Sequence, residues 1–269
     1  MKLKGDLIPP RLPTMSNQQR SHTTEWVSTD VQECGVVRAA TPPRSGDRID
    51  LDNTDHGTAG LVFKDLISGR GFALTCGHVL DPDGRGLEHA IRIGSTPPVS
   101  ARFPIVLPLR RGNLSQHSAA PNIDAGICEI MPVEVGARPP LVQGDLKISR
   151  IGEISSPENT YELFSRVLGR ITQGTNVLIE QTVQVDLPVH GDWTILTDTF
   201  SLDVDAVQGD SGSLLFRRLS DGTVEALGLL VAVADSMRHA WFHPLKTVLT
   251  AFSDVENLSL RLGIKGDVN

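Results

Sequence analysis

The chain is poor in cysteine and its histidines are scattered, which limits the chemistry it can carry. Only Cys34, Cys76 and Cys128 occur among 269 residues, and no two of them form a Cys-x-x-Cys pair. An odd number without that spacing predicts reduced thiols packed as small apolar side chains. Of the eight histidines, His239 and His243 lie four residues apart, but no pattern of further ligands supports a metal site there. We expect this pair to be surface or packing residues.

Long apolar runs and dense basic segments are also absent from the sequence. The longest apolar run, 226–234, has about nine residues, whereas a bilayer span needs about 20, so we interpret it as a buried strand. The N-terminal segment reaches Pro9 and Pro10 without the apolar core of a secretory signal, which predicts a cytoplasmic protein. With 25 basic and 32 acidic residues the net charge is −7. This balance argues against nucleic acid or an anionic membrane as partner and favours a protein or peptide.

Composition divides the chain into three segments. Residues 1–50 are rich in Pro, Ser, Thr and Arg, which predicts an N-terminal extension or arm that could add one strand to the main body of the protein. Segments 51–135 and 136–269 each contain short strand-like runs, and prolines and glycines at 132–144 mark the boundary between them. Pro244 begins a run with helical apolar spacing, which predicts a C-terminal helix.

The strand-like runs are short, rich in apolar and β-branched residues, and mostly separated by turn-forming residues. This pattern is typical of an all-β barrel or sandwich. The predicted strands lie at 57–63, 72–76, 90–93, 102–109, 122–130, 146–151, 161–167, 176–185, 193–202, 214–218 and 224–233.

A serine lies between glycines at 209–213, where the sequence is GDSGS. Gly209 and Gly212 permit backbone angles that other residues resist, so the turn can direct the N–H groups of Gly209 and Ser211 at one point. Two converging donors could hold a developing oxyanion, and losing one such donor costs about 3–4 kcal/mol of transition-state stabilisation. The same residues also suit an ordinary hairpin turn.

Two further residues have the chemistry that a nucleophilic serine requires. His78 follows the strand predicted at 72–76, and an imidazole with an ordinary pKa near 6.5 can act as a general base at neutral pH. Asp124 stands at the start of the strand predicted at 122–130, where a buried carboxylate needs a hydrogen-bonding or charged partner. Taken singly, His78 also suits a packing role and Asp124 a turn.

The order His78, Asp124, Ser211, with separations of about 46 and 87 residues, differs from the orders on subtilisin-like and α/β-hydrolase folds. The sequence resembles the trypsin-like serine peptidases of the chymotrypsin fold. LTCGHVL at 74–80 is similar to the family's histidine motif, NIDAGI at 122–127 to its acid motif, and GDSGS to its nucleophile motif. The resemblance covers about residues 55–252, and the pattern is closer to intracellular bacterial members than to secreted ones.

The resemblance implies an all-β fold of two packed six-stranded antiparallel β-barrels, with a C-terminal helix and the N-terminal extension. The first barrel carries His78 and Asp124, and the second carries Ser211. Ser211 is then the nucleophile, His78 the general acid/base, and Asp124 the group that orients the imidazole. The N–H groups of Gly209 and Ser211 form the oxyanion hole, and the reaction requires no cofactor.

The resemblance also assigns a substrate pocket. Asp205 stands six residues before Ser211, at the position that forms the base of the primary pocket in the family. A carboxylate there pairs with Arg or Lys and disfavours uncharged side chains. Val231 and Ala232 are predicted to line the same pocket. The alternative is that Asp205 is an ordinary loop residue, since Asp is common in loops.

Two departures from the family accompany this resemblance. Secreted members have a disulfide beside the histidine, which Cys76 and Val79 exclude here, and no Ile-Val-Gly-Gly segment precedes His78. Asp210, whose counterpart pairs with that segment in secreted members, therefore needs another partner or lacks one until something activates the site, and the sequence leaves both alternatives open.

The function implied is a serine endopeptidase that acts on a specific intracellular protein in a regulatory or defence pathway. A regulatory protein is a further candidate partner. The alternatives are a catalytically silent chymotrypsin-fold module that binds proteins, and an esterase that uses the same three residues.

Overall fold

The computed structural model of the chain describes residues 11–14, 25–28, 43–52, 54–64, 70–82, 89–94, 98–109, 121–130, 142–143, 146–155, 159–186, 193–234 and 238–256. The chain forms two compact units, 1–39 and 40–269. In the smaller unit, strands β1 (Arg11–Thr14) and β2 (Glu25–Ser28) pair in antiparallel fashion. Most of the predicted N-terminal arm lies outside the described residues.

Seven strands form the first sheet of the larger unit. They are β3 (Arg48–Leu51), β4 (Thr54–Thr58), β5 (Leu61–Lys64), β6 (Gly71–Thr75), β7 (Ile91–Ile93), β8 (Val99–Val106) and β9 (Gly126–Ile130). Their order is β4-β3-β7-β8-β9-β6-β5, and all neighbours are antiparallel. Ala59 and Gly60 alone join the edge strands β4 and β5, so a bend in the chain connects the two edges of the sheet. A short helix, α1 (Gly77–Leu80), follows β6.

Eight strands form the second sheet. They are β10 (Val142–Gln143), β11 (Leu146–Ile151), β12 (Tyr161–Ser165), β13 (Arg170–Asp186), β14 (Trp193–Asp203), β15 (Leu214–Arg218), β16 (Val224–Val233) and β17 (His239–Pro244). The order is β10-β11-β16-β15-β12-β13-β14-β17, and an additional β16–β17 pairing closes six of these strands into a barrel. The C-terminal helix α2 (Leu245–Glu256) begins directly after β17.

The predicted all-β architecture with a C-terminal helix is confirmed, with differences in detail. Among the described residues, the first sheet has seven strands rather than six, and its edge strands are joined by the bend at Ala59 and Gly60 with no ladder between them, so it is a half-barrel. Strand β3 begins at Arg48, inside the segment 1–50 assigned to the extension. Strand β17 is not predicted, because His239 and His243 interrupt its apolar alternation.

One pairing departs from the predicted antiparallel arrangement, since β11 runs parallel to β16. At this edge the buried carboxylate of Glu225 on β16 forms ion pairs with Arg150 on β11 and Arg217 on β15. Gly152 leaves room for it, as a Cβ there would lie 2.2 Å from the Glu225 Oε1 atom. A side chain at position 152 would displace the carboxylate and loosen this edge of the sheet.

Two apolar clusters stabilise the larger unit. The first extends from the first sheet, for example Leu74, to Leu229 on β16 and Phe252 on α2, so the two sheets share one continuous core. The second, which includes Tyr161 and Phe242, fills the closed barrel. The junction between the sheets is therefore apolar and tightly packed.

Cys76 and Cys128 are free thiols and fully buried, in agreement with the sequence-based expectation. Cys34 lies outside the described residues. No helix in the described part of the chain is long and apolar enough to cross a bilayer.

Candidate active site

His78 and Asp124 form a close pair at the end of β6. The short helix α1 begins at Gly77, and a Cβ at that position would lie 2.9 Å from the Asp124 Oδ1 atom. Glycine therefore lets the carboxylate approach the backbone, where the His78 N–H donates to Oδ1 (3.0 Å). The His78 Nδ1 atom lies 2.5 Å from the Asp124 Oδ2 atom. With Nδ1–H donating to a carboxylate, the Nε2 lone pair is left to accept a proton.

The pair is asymmetric in exposure, since the His78 side chain is 26% exposed and that of Asp124 is 4% exposed. Burial opposes protonation of His78, but the charge of Asp124 and its hydrogen bond outweigh burial and raise the pKa of the imidazole above its ordinary value. Burial likewise opposes ionisation of Asp124, and the charge and hydrogen bonds of His78 outweigh it and lower the pKa of the carboxyl. The structure thus favours a carboxylate that stabilises an imidazolium.

The turn around Ser211 requires glycine at two positions. Gly209 and Gly212 have φ values of +96° and +93°, in the region that side chains resist. A Cβ on Gly212 would lie 2.2 Å from the Thr58 carbonyl oxygen and 2.3 Å from the Thr75 Oγ1 atom. The turn therefore packs directly against β4 and β6 of the first sheet.

A shared acceptor connects this turn to the histidine segment. The Leu230 carbonyl on β16 accepts from the Gly212 N–H (2.8 Å) and from the Cys76 thiol (Sγ to O 2.9 Å). Gly212 follows Ser211, and Cys76 is two residues before His78. The segments that carry Ser211 and His78 therefore both bind to the Leu230 carbonyl oxygen.

A second contact brings the same segments together through β4. The Thr58 N–H donates to the Ser211 carbonyl (2.9 Å). A Cβ on Gly57 would lie 2.6 Å from the Val79 Cγ2 atom and 3.0 Å from the Ser211 carbonyl oxygen. Because Val79 follows His78, the Ser211 turn and helix α1 face each other across Gly57.

The buried carboxylate of Asp210 has local partners, which answers the question that the sequence leaves open. Asp210 is fully buried. It accepts from the Ser165 hydroxyl (Oδ2, 2.6 Å) and from the N–H groups of Val167 (Oδ1, 3.0 Å) and Val207 (Oδ2, 3.1 Å). The Ser165 Oγ atom in turn accepts from the Leu168 N–H (3.1 Å). Ser165, Val167 and Val207 thus supply three hydrogen bonds to this carboxylate.

The N–H groups of Gly209 and Ser211 are available to a ligand. Within the part of the chain that the structure describes, neither donates to a protein acceptor. The Gly209 carbonyl is held by the Thr58 hydroxyl (2.9 Å) and by the Arg166 Nη2 atom (3.1 Å). These bonds fix the peptide that leads into Ser211.

The loop that carries Asp124, residues 121–125, is fastened to the second barrel by Asn122. Its N–H donates to the Thr197 hydroxyl (2.8 Å), and the Thr197 N–H donates back to the Asn122 carbonyl (3.2 Å). Its side-chain amide donates to the Ile195 carbonyl (2.8 Å) and to the Thr194 hydroxyl (3.0 Å). Asn122 is fully buried, so β14 determines where this acid loop lies.

Sequence reasoning misses several of these supporting residues. Asn122 enters only as part of a motif, and Ser165 and Arg166 are not singled out. His243 is expected at the surface or in packing, yet it is fully buried and accepts a hydrogen bond from the Asp124 N–H (Nε2 to N 3.0 Å). A histidine in an otherwise apolar strand end is the one signal that could have found it.

The residues predicted to form the substrate pocket lie near the Ser211 turn, but Asp205 is not an unpaired carboxylate. The Asp205 side chain is 25% exposed and forms ion pairs with Arg238 (Nη2 to Oδ2 2.6 Å) and Arg170 (Nη2 to Oδ2 3.4 Å). Val231 is buried and Ala232 half-buried near the end of β16. The Asp205 carboxylate thus already has two guanidinium partners.

One group of described side chains has ligand atoms close enough to bind a metal ion. An atom from each of Cys76, His78 and Asp124 lies within 4.8 Å of the other two. Burial, followed by the charge of Asp124, raises the pKa of the Cys76 thiol well above its usual range. Metal ligation requires the thiolate, and this thiol is instead a hydrogen-bond donor. The chemistry of the three residues therefore fits proton transfer better than metal binding.

Comparisons with known proteins agree with the architecture. No family model and no curated protein sequence matches the chain. It is similar in structure to protease A of Thermobifida fusca, with a TM-score of 0.53, 18% identity and coverage of 78% of this chain and 95% of that one. It is also similar to a serine protease described as glutamic acid specific and as using a histidine triad in substrate binding (TM-score 0.55, 16% identity, 78% and 97% coverage).

A third similar structure is the Nocardiopsis protease NAPase (TM-score 0.53, 15% identity, 78% and 95% coverage). Likeness at this level of identity establishes the fold. The chain therefore has the chymotrypsin-like double β-barrel that the sequence predicts. The intracellular bacterial subtype stays a prediction.

Proposed function

We propose that the protein is a serine endopeptidase in which Ser211 is the nucleophile, His78 the general acid/base and Asp124 its orienting carboxylate. The observation that supports this most directly is the His78–Asp124 pair, whose segment packs beside a turn in which the Gly209 and Ser211 N–H groups have no protein acceptor among the described residues. A carboxylate, an imidazole with a free Nε2 and two converging donors are the groups that acyl transfer to serine requires.

The reaction proceeds through an acyl-enzyme. The Ser211 oxygen attacks the substrate carbonyl while the His78 Nε2 atom takes the hydroxyl proton, and Asp124 stabilises the resulting imidazolium. The N–H groups of Gly209 and Ser211 bind the oxyanion. His78 then gives its proton to the leaving amine, and water cleaves the ester with His78 again acting as base. No step needs a cofactor.

The local partners of Asp210 support activity without cleavage of a preceding segment. Ser165, Val167 and Val207 already satisfy the carboxylate beside Ser211. A new amine is therefore not needed to hold the nucleophile turn in place.

For primary specificity we keep the preference for Arg or Lys as a proposal. Asp205 pairs with Arg238 and Arg170, whose side chains are 76% and 64% exposed. Exposed ion pairs contribute little to stability, so a substrate guanidinium can replace one of these partners. Cleavage profiles of wild type, Asp205→Ser and Arg238→Ser, with substrates that differ only before the scissile bond, test this. A preference for acidic residues that Arg238→Ser abolishes would assign the arginines, not Asp205, to recognition.

The proposed substrate is an intracellular protein in a regulatory or defence pathway, with a regulatory protein as a further candidate partner. The buried free thiols of Cys76 and Cys128 support a reducing compartment. Comparing cleavage products in lysates that contain active protein or the Ser211→Ala variant would identify the substrate.

Labelling with a fluorophosphonate probe tests the reaction itself. Wild type is expected to become labelled at Ser211, located by mass spectrometry of peptides, and the Ser211→Ala variant to remain unlabelled while keeping its melting temperature. Labelling together with cleavage of esters but not peptides would indicate an esterase. A folded wild type that neither labels nor cleaves would indicate a silent binding module.

A further inference from the structure

His243 lies at the end of β17 with both ring nitrogens hydrogen-bonded to backbone groups. The Nε2 atom accepts from the Asp124 N–H (3.0 Å), and the Nδ1 atom lies 3.3 Å from the Asp198 carbonyl oxygen. A carbonyl can only accept and an amide N–H can only donate, so the ring carries its proton on Nδ1 and is neutral. His243 is fully buried, so water cannot replace either partner.

The ring connects two backbone positions that are distant in sequence. Asp124 is 119 residues before His243, and Asp198 lies in β14 with a left-handed φ of +53°. Asp124 is the residue whose carboxylate holds His78. The hydrogen bond from its N–H therefore acts on the backbone from which that carboxylate extends.

The acid loop is held at two points, of which His243 is the one next to the carboxylate. Asn122 fastens the start of the loop to β14, and Ile123 between the two points is 4% exposed. A change at Asn122 would move the whole loop. A change at His243 would act on the orientation of Asp124 itself.

We infer that His243 is a positioning residue for the proposed reaction, whose neutral ring sets the orientation of the Asp124 carboxylate and, through it, the His78 imidazole. This inference rests on the proposed function. Protonation at Nε2 would place one N–H against another at the Asp124 backbone, so the same ring makes the site sensitive to acid.

Burial and the charges around the ring together determine the pH range in which the ring is neutral. The carboxylates of Asp124 and Asp198 face it, and His78 lies beyond Asp124. Burial, the largest effect, outweighs these carboxylates and lowers the pKa of His243 below its ordinary value. The ring is therefore neutral at neutral pH. Its contribution to stability is complete above the ordinary histidine pKa and is lost as the pH falls toward the lowered native value.

Two matched substitutions separate the roles of the ring nitrogens. In His243→Gln the side-chain oxygen can lie near the Nε2 position and accept from the Asp124 N–H, without titrating. In His243→Asn the shorter amide can reach the Asp198 carbonyl but not Asp124. We expect His243→Asn to lower kcat by about 100-fold with little change in KM, as misplacement of a reacting group does, and His243→Gln to retain most of kcat.

The pH profile gives a signature that packing alone would not produce. On the acid side, kcat/KM of the wild type should fall with one proton as His78 titrates and with a second proton once His243 titrates. In the His243→Gln variant, kcat/KM should fall with the first proton only. Equal kcat in the Gln and Asn variants, or an unchanged acid profile in His243→Gln, would overturn the inference.

A measurement on the wild type without substrate keeps this inference separate from the proposed function. In NMR spectra, the Asp124 amide resonance should shift with the titration of the His243 ring, and the Nδ1–H resonance of His78 should change in the same range. Absence of probe labelling together with this coupling would reject the peptidase but retain the positioning role. An Asp124 amide that does not respond to the His243 titration would reject the role whether or not the variants fold.

Discussion

The nucleophile turn, residues 207–213, and the acid loop, residues 121–125, meet at one site but are held in different ways. In the turn, Asp210 binds the N–H of Val207 three residues away, and two glycines supply the left-handed angles. In the acid loop, Asn122 bonds to residues 72 to 75 positions away, and Asp124 to one 119 positions away. The turn takes its left-handed backbone angles from its own glycines, whereas the position of the acid loop depends on residues of the second barrel.

This difference implies two ways to damage the site. A change in the turn acts directly on its backbone geometry, whereas a change in the support of the acid loop acts at a distance, through β14 and β17, on the His78–Asp124 pair. Substitutions in each region, together with one at the pair itself, test that distinction.

The largest effect among these is expected from Asp124→Asn. The amide keeps the volume but removes the charge that raises the pKa of His78, and losing the orienting carboxylate lowers kcat by about 10⁴-fold. The acid limb of kcat/KM should also move to lower pH, since the raised pKa of His78 depends on this carboxylate. Activity assays at a series of pH values, together with NMR titration of His78, measure both effects.

The same pair determines the direction in which the stability of the fold changes with pH. The raised pKa of His78 contributes stability that is complete below its ordinary value and is lost as the pH rises through the native value. The lowered pKa of Asp124 contributes stability above its ordinary value that is lost on acidification through the native value. A native His78 pKa that is unaltered in Asp124→Asn would contradict this coupling.

Gly212→Ala should lower kcat and destabilise the fold by about 2–5 kcal/mol, because overpacking of a buried group adds to left-handed backbone strain. A Cβ there would lie 2.2 Å from the Thr58 carbonyl oxygen, at φ +93°. Gly222→Ala is the matched control, with φ +81° and no atom within 4 Å. It should cost about 1–2 kcal/mol from backbone strain alone. Urea unfolding of both variants measures the difference, and equal losses would show that packing on the first sheet is unimportant.

Asn122→Ala should cost about 2–3 kcal/mol, since it removes the two hydrogen bonds that the buried side-chain amide donates to Thr194 and Ile195 on β14. The two hydrogen bonds between the Asn122 backbone and Thr197 remain. We therefore expect a folded protein that has a reduced kcat and is still labelled at Ser211 by the fluorophosphonate probe. Urea unfolding and steady-state kinetics measure the two effects. A stable variant with full kcat would show that the backbone bonds alone hold the acid loop.

The smallest effect is expected from reductant, which should leave the melting temperature unchanged because Cys76 and Cys128 are free. Burial raises the pKa of Cys128 to about 12, and buried thiols of this kind are inert. A thiol reagent should therefore reach neither of them in the native protein and both after unfolding. A lower melting temperature in dithiothreitol would indicate a disulfide.

Local chemistry was enough to predict much of the nucleophile turn and an all-β fold, whereas the double barrel was predicted from the resemblance to a family. Gly209 and Gly212 both have the positive φ that their place around Ser211 suggests, and the terminal helix follows Pro244 as expected. Strand positions could be predicted from short apolar runs between turns, because alternation and turn residues act over a few positions. The roles of His78, Asp124 and Ser211 stay predictions, although the structure places all three at the junction of the two barrels.

The support of the acid loop could not be predicted in the same way. Nothing near His243 in the sequence indicates that its ring meets the Asp124 backbone, and β17 itself was missed because its histidines interrupt the apolar pattern. The parallel pairing of β11 with β16 was also missed, since it joins segments that are distant in sequence and no local pattern sets the direction of such a pairing.

The sequence by itself determined the turn geometry around Ser211, the short strands and the reduced, buried state of Cys76 and Cys128, because these depend on backbone freedom and local apolarity. Only the tertiary structure decided which groups satisfy Asp210, how Asn122 and His243 hold the acid loop, and that Asp205 is already paired with arginine. Hydrogen bonds and ion pairs between distant segments depend on how the two sheets pack together, and no local pattern records that packing.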